Sequence, residues 1–177
     1  MECVIDIGKM GPDYCLHFAH AGVFTFDLRY NNQTFIVNNG TSTFEDKITR
    51  YREKSTGYHN TVSYKNKSQA EFFSLFKVAS RPETNVLQED KTYFKATHNG
   101  FKRFDALHQR EFKFYPNGVL ITDEIKHLSN HKDLSFAHFH LHPSFSEIII
   151  EDNILKVGDW KMEFNGQKDI RILDYQY

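Results

Sequence analysis

His20, Asn38 and His59 are the residues of this chain whose types could gather around one chemical centre. Each stands at the edge of a hydrophobic run. His20 follows Leu16-His17-Phe18-Ala19, Asn38 ends Phe35-Ile36-Val37, and His59 opens His59-Asn60-Thr61. Two imidazoles and an amide oxygen are donor atoms that can share a metal ion or hold a polar substrate. The plainer alternative for each histidine is a structural role at a strand end, bonded to backbone. His138, His140 and His142 form a second set, spaced i, i+2, i+4, as three rings on one face of a strand would be. Cross-strand partnering is the reading favoured for them. Tyr51 and Arg52 lie in the charged stretch 41–57, which directs them toward a cleft rather than the core.

These residues need a scaffold, and the periodicity supplies one. From Val23 to Tyr30, Phe24, Phe26, Leu28 and Tyr30 alternate with Thr25, Asp27 and Arg29, which is the period of a half-buried strand. Asn31-Asn32 turns it into a second strand over 34–37. Phe44, Ile48 and Tyr51 have helical spacing, so a short helix fits within the polar stretch. Further strands are expected at 61–64, 70–79, 92–97, 111–115, 119–126, 134–142, 147–150, 154–157, 161–164 and 170–173. Pro116-Asn117-Gly118 marks a hairpin. The expectation is an all-β chain, a two-sheet antiparallel β-sandwich of about a dozen strands with little helix, forming a single domain over 1–177.

Composition fits that class and excludes others. The 177 residues suffice for one core, and 17 Phe and 9 Tyr suit a pleated, half-buried surface. A net charge of −1 gives no basic footprint for nucleic acid. No apolar run is long enough for a membrane span, and residues 1–6 are not a signal peptide. Cys3 and Cys15 are expected as free thiols.

The order of several motifs carries a resemblance. Asp6-Ile7-Gly8 and Gly11-Pro12-Asp13-Tyr14 come first. Ala19-His20-Ala21 and Phe35-Ile36-Val37-Asn38-Asn39-Gly40-Thr41 follow. Then come Tyr51-Arg52, His59-Asn60-Thr61, His98-Asn99-Gly100-Phe101, His108-Gln109-Arg110 and Phe139-His140-Leu141-His142-Pro143. Together they resemble the C-terminal domain of the heparinase II/III-like polysaccharide lyases, over nearly the whole chain. The resemblance implies a β-sandwich that follows an N-terminal α-helical toroid in the parent chain, with Met1 a start inside that longer frame. It implies β-elimination on an acidic, uronate-containing polysaccharide such as a glycosaminoglycan, a bacterial source, a periplasmic or secreted location, and a bound zinc.

Elimination at a uronate needs the C5 carboxylate neutralised, a base for the C5 proton and an acid for the leaving oxygen. The resemblance assigns metal ligands to His20, Asn38 and His59, and catalytic roles to Tyr51 and Arg52. The family's catalytic histidine maps to Phe18, which moves no proton; His17 is the adjacent candidate. The family's next acidic residue maps to Gly22, and its metal-binding Asp maps to Asn38. A neutral amide gives zinc no charge compensation, so Asn38 weakens the implied site. The resemblance therefore leaves two functions: a lyase domain inactive without its toroid, or a non-catalytic glycan-binding or surface-polysaccharide-assembly relative.

Overall fold

The computed structural model describes residues 1–130 and 132–173, which divide into two compact units meeting in sequence at His140/Leu141. The first unit contains β1 (Glu2–Ile5), β2 (Phe26–Tyr30), β3 (Gln33–Ile36), α1 (Lys47–Lys54), β4 (Val62–Tyr64), β5 (Glu71–Ser74), β6 (Lys77–Ser80), β7 (Thr84–Glu89), β8 (Tyr93–His98), β9 (Ala106–Tyr115), β10 (Gly118–His127) and β11 (Ser135–Ala137). The second contains β12 (Ile149–Glu151), β13 (Ile154–Val157) and β14 (Trp160–Glu163), an antiparallel meander with Leu155 and Val157 buried. The chain is all-β and antiparallel, as the alternation predicts. No helix among the described residues is long and apolar enough to cross a membrane.

In the first unit, a four-stranded sheet in the order β10-β9-β8-β7 faces a three-stranded sheet in the order β1-β2-β3. Phe26 of β2 meets Phe112 of β9 edge to face at 5.5 Å between centroids, and Phe94 of β8 packs on the same ring at 6.4 Å. Such pairs fix geometry as well as burying area. Asn31 and Asn32 both adopt positive φ, 48° and 62°, as a two-residue hairpin turn with the strands' own twist demands. The second hairpin closes at Tyr115↔Gly118, with Pro116-Asn117 as its two-residue loop.

Buried polar groups tie the four-stranded sheet to the chain before β2 and to the loop at Asn60. Arg110 of β9 is fully buried. Its Nε and Nη2 donate to the two carboxylate oxygens of Asp123, at 2.7 and 2.8 Å. Its Nη1 donates to the carbonyls of Phe24 (2.9 Å) and Asn60 (2.6 Å). Beside it runs a directed chain. Gly100 N–H donates to His98 Nδ1, which leaves the proton on His98 Nε2 to donate to His108 Nδ1 at 3.0 Å. His108 Nε2 then donates to Asp123 at 2.7 Å. Burial pushes both histidines down. Burial alone would raise the Asp123 carboxyl, but the Arg110 charge and the two donors outweigh it and hold it well below the usual carboxylate range.

Several elements depart from the sequence reading. Residues 70–79 are two strands, β5 and β6, because the chain turns at Leu75-Phe76. β7 was not expected; it pairs along β8. The expected strand over 134–142 is regular only through β11, since His138 and His140 bond Thr61, Asn60 and Val37 instead of continuing the ladder. Residues 170–173 form no strand. The first turn of the expected strand 23–30 is irregular: Phe24 has φ 66° and Thr25 N–H bonds back to Gly22 O. α1 exists, but its apolar residues face out. Ile48 and Tyr51 are exposed, whereas Arg50, Glu53 and Lys54 are buried. Its start is set by Asp46, whose side chain accepts from Ile48 N–H.

Candidate functional site

The site is built from three loops, and buried polar side chains fix each of them. Asn60, wholly buried, donates from Nδ2 to Phe26 O (2.8 Å) and Val37 O (3.0 Å), and its Oδ1 accepts from His140 N–H at 2.6 Å. Thr56 Oγ1 donates to Ala21 O, and Ala21 N–H donates to Lys54 O. Thr61 Oγ1 donates to Val23 O, a carbonyl that Gln69 Nε2 also reaches. Loop backbone that no strand satisfies is satisfied this way, so the loops can sit inside the fold.

The result brings His20, Asn38 and His59 together. The His20 and His59 rings lie 5.2 Å apart, and His59 Nδ1 donates to Asn38 Oδ1 at 2.9 Å. Thr25 Oγ1 donates to the same amide oxygen at 2.7 Å. Gly22 completes the packing: a Cβ placed there would lie 2.8 Å from His59 Cγ. The imidazole fills the space that a side chain at position 22 would need.

Behind His20 lies a group that the sequence reading passed over. Arg50 is 0% exposed. Its Nη1 donates to His20 Nε2 at 3.0 Å and to Thr41 Oγ1 at 2.6 Å, and lies 3.7 Å from Glu53 Oε2. Glu53 Oε1 accepts from both the backbone N–H and the hydroxyl of Ser42. Since a guanidinium only donates, His20 Nε2 is an acceptor and the ring is neutral with its proton on Nδ1. Burial first, then the charges of Arg50 and Lys54, push His20 down to about 4. Burial, then His20 and His140, push His59 down to about 3. Arg50 Nε and Nη2, Glu53 Oε2 and His59 Nε2 are buried without a hydrogen-bond partner.

This donor set does not suit zinc. Zinc requires several free lone pairs converging on one point, usually with anionic ligands among them. His59 Nε2 offers one. The acceptor nitrogen of His20 is capped by a cation, and the Asn38 oxygen is turned to two protein donors. Among the described residues no three His, Cys, Asp or Glu side chains are grouped to hold a metal ion.

A cleft of about 410 Å³ opens in front of these rings, lined by Asp6, Tyr14, Phe18, His20, Asn38 and His59 among others. Tyr14 is 92% exposed. Phe18 is exposed too and meets Phe44 edge to face at 5.7 Å. The remaining expected residues lie elsewhere. His17 Nδ1 bonds the carbonyl of Phe76 at 3.1 Å. Tyr51, on the outer face of α1, lines a different cleft of about 580 Å³ with Phe72 and Arg103, and Arg52 is exposed. His138 Nε2 bonds Ser63 Oγ at 2.8 Å. His140 is buried, its Nε2 on Gly57 O and its Nδ1 on Asn39 Nδ2. His142 pairs with Ser144 in the second unit. The three histidines thus share no centre. Arg50, Glu53, Thr41 and Tyr14 are the site residues that spacing alone did not single out.

With the geometry in place, the comparisons decide the family. The heparinase II/III-like C-terminal family matches residues 1–171. The chain belongs to this family. The domain is therefore related to polysaccharide lyases. A heparinase III structure with methylated lysines superposes with a TM-score of 0.62 at 20% identity, over 86% of this chain and 22% of its own. A mutant of the heparan sulfate lyase HepC from Pedobacter heparinus gives 0.61 at 17% identity, over 86% of this chain and 23% of its own. At those identities the likeness concerns the fold, and the chain spans less than a quarter of either structure. A search of curated proteins gave no match.

Proposed function

We propose that this chain is the glycan-facing domain of a polysaccharide lyase that acts on uronate-containing polysaccharides by β-elimination, and that the 177 residues alone do not catalyse the reaction. One observation carries the second half. The side chains that the resemblance assigns to proton transfer are not gathered: His17 is tied to Phe76 O, Tyr51 lines a separate cleft, and Phe18 stands in the cleft beside His20 where the family has its histidine. Elimination needs a base and an acid within hydrogen-bond reach of one sugar. Family membership supports the substrate class. In this reading the toroid of the parent chain supplies the missing acid and base.

The test uses the absorbance of the unsaturated uronate that elimination leaves behind. The longer parent protein, incubated with a panel of acidic glycans, is expected to raise it on at least one; the 177-residue chain is expected to raise it on none. Cleavage by the short chain refutes inactivity alone. A second reading, a non-catalytic glycan-binding relative, is favoured by Gly22, where the His59 ring leaves no room for the family's acidic side chain. Calorimetric binding of an acidic glycan by the parent protein, without any absorbance change across the panel, would select it.

A further inference from the structure

We infer that the Arg50 guanidinium is the resident cation of this site, standing against His20 in place of a metal ion. The inference concerns this chain's own charge arrangement and holds whether or not a glycan binds. Four observations carry it. First, Arg50 is wholly buried on the inner face of α1, where its Nη1 reaches His20 Nε2 at 3.0 Å. A metal using that nitrogen would have to displace a permanently charged group from the same lone pair. Second, the cation is built in rather than adventitious: Thr41 Oγ1 accepts from it at 2.6 Å, and Glu53, three residues on along the helix, stands 3.7 Å away. Glu53 is in turn anchored on Ser42.

Third, the charges agree. Asn38 is a neutral amide where the family pattern has a carboxylate. The buried charges near the rings are then Arg50 and Lys54 against Glu53, an arrangement that already carries an excess positive charge. A dication added without a new carboxylate would face two buried cations. Fourth, the unpartnered buried atoms are donor nitrogens of Arg50, Nε and Nη2, beside two acceptors, Glu53 Oε2 and His59 Nε2. Arg50 thus acts as a positioning residue. It fixes His20 in the tautomer that accepts at Nε2, and it locks the loop carrying Thr41 to α1.

The experiment measures zinc binding to the 177-residue protein after dialysis against EDTA, by calorimetry with zinc chloride, alongside the thermal melt and the histidine side-chain nitrogen spectrum. The wild type is expected to stay folded after chelation and to bind no stoichiometric zinc, with His20 Nε2 unprotonated. Asn38→Asp restores the family's carboxylate while leaving Arg50 in place, and is expected to remain metal-free. The double variant Asn38→Asp/Arg50→Met is expected to bind zinc where Asn38→Asp does not, and a folded double variant that stays metal-free overturns the inference. Stoichiometric zinc on the wild type overturns the inference. So does zinc binding by Asn38→Asp, because the carboxylate alone would then suffice. If Arg50→Met prevents folding, those two measurements still decide.

Discussion

Replacing Asn60 with alanine tests whether buried side-chain bonds, rather than strand ladders, hold the site loops. The side chain is 0% exposed and makes three hydrogen bonds, to Phe26 O, Val37 O and His140 N–H. Alanine removes all three and puts no polar atom in their place. Stranding a buried donor or acceptor costs roughly 1–3 kcal/mol, so the low end for three lost bonds is about 3 kcal/mol. That is a large part of the roughly 5–15 kcal/mol by which domains are stable. Asn60→Asp is the informative companion. It keeps an acceptor for His140 N–H but turns a carboxylate oxygen toward two carbonyl oxygens, so it is expected to lose at least as much. Urea unfolding followed by far-ultraviolet circular dichroism gives both values. A loss below about 1 kcal/mol for Asn60→Ala, within the range of a modest substitution, would refute the reasoning.

Arg110→Met is expected to cost about 3–5 kcal/mol in the same assay, because it leaves Asp123 without its bidentate partner. Arg110→Met/Asp123→Leu should recover part of that loss, and no recovery would argue against an uncompensated charge as the cause. Stability is expected to fall with acidification. His98 and His108 have folded-state values pushed below the ordinary histidine value, so the unfolded chain binds more protons as pH drops through about 6.5. Their contribution is complete above that pH and is lost below it, whereas the depressed Asp123 carboxyl affects stability only below about pH 4. Unfolding curves at pH 7.5 and 5 check this, and equal midpoints would contradict it. Gly22→Ala should displace the His59 ring and cost about 1–3 kcal/mol, the usual range for overpacking. A thermal melt together with the His59 ring resonances reads both effects, and an unchanged ring signal would dispose of the steric argument.

Alternation and turn chemistry foretold what depends on local period. The hairpin at Asn31-Asn32, the pairing of β9 with β10 and the all-β class all rest on side chains whose neighbours in sequence are also their neighbours in space. The gathering of His20, Asn38 and His59 came from motif order, since nothing local distinguishes them from structural residues. The failures have one physical origin. Spacing drew attention to Phe44, Ile48 and Tyr51 and passed over Arg50, Glu53 and Lys54, because helical periodicity records hydropathy and not partners. The structure inverts that helix because inward charges meet His20, Ser42 and the carbonyls of His17 and Leu75. Similarly, strand alternation put His138, His140 and His142 on one face. The backbone leaves the ladder after Ala137 when His138 N–H bonds Thr61 O and His140 N–H bonds Asn60.

The contact between Gly22 and His59 has a historical meaning as well. If an ancestor carried an acidic side chain at position 22, the two positions now exclude each other: the ring lies where that side chain's first carbon would have to go. Restoring the acid by a single substitution would therefore first have to push the His59 ring aside. A lineage could return only by first relocating the imidazole, through intermediates that lose the His59–Asn38 bond before anything is regained. One interatomic distance thus couples what position 22 can carry to where the imidazole of residue 59 can sit.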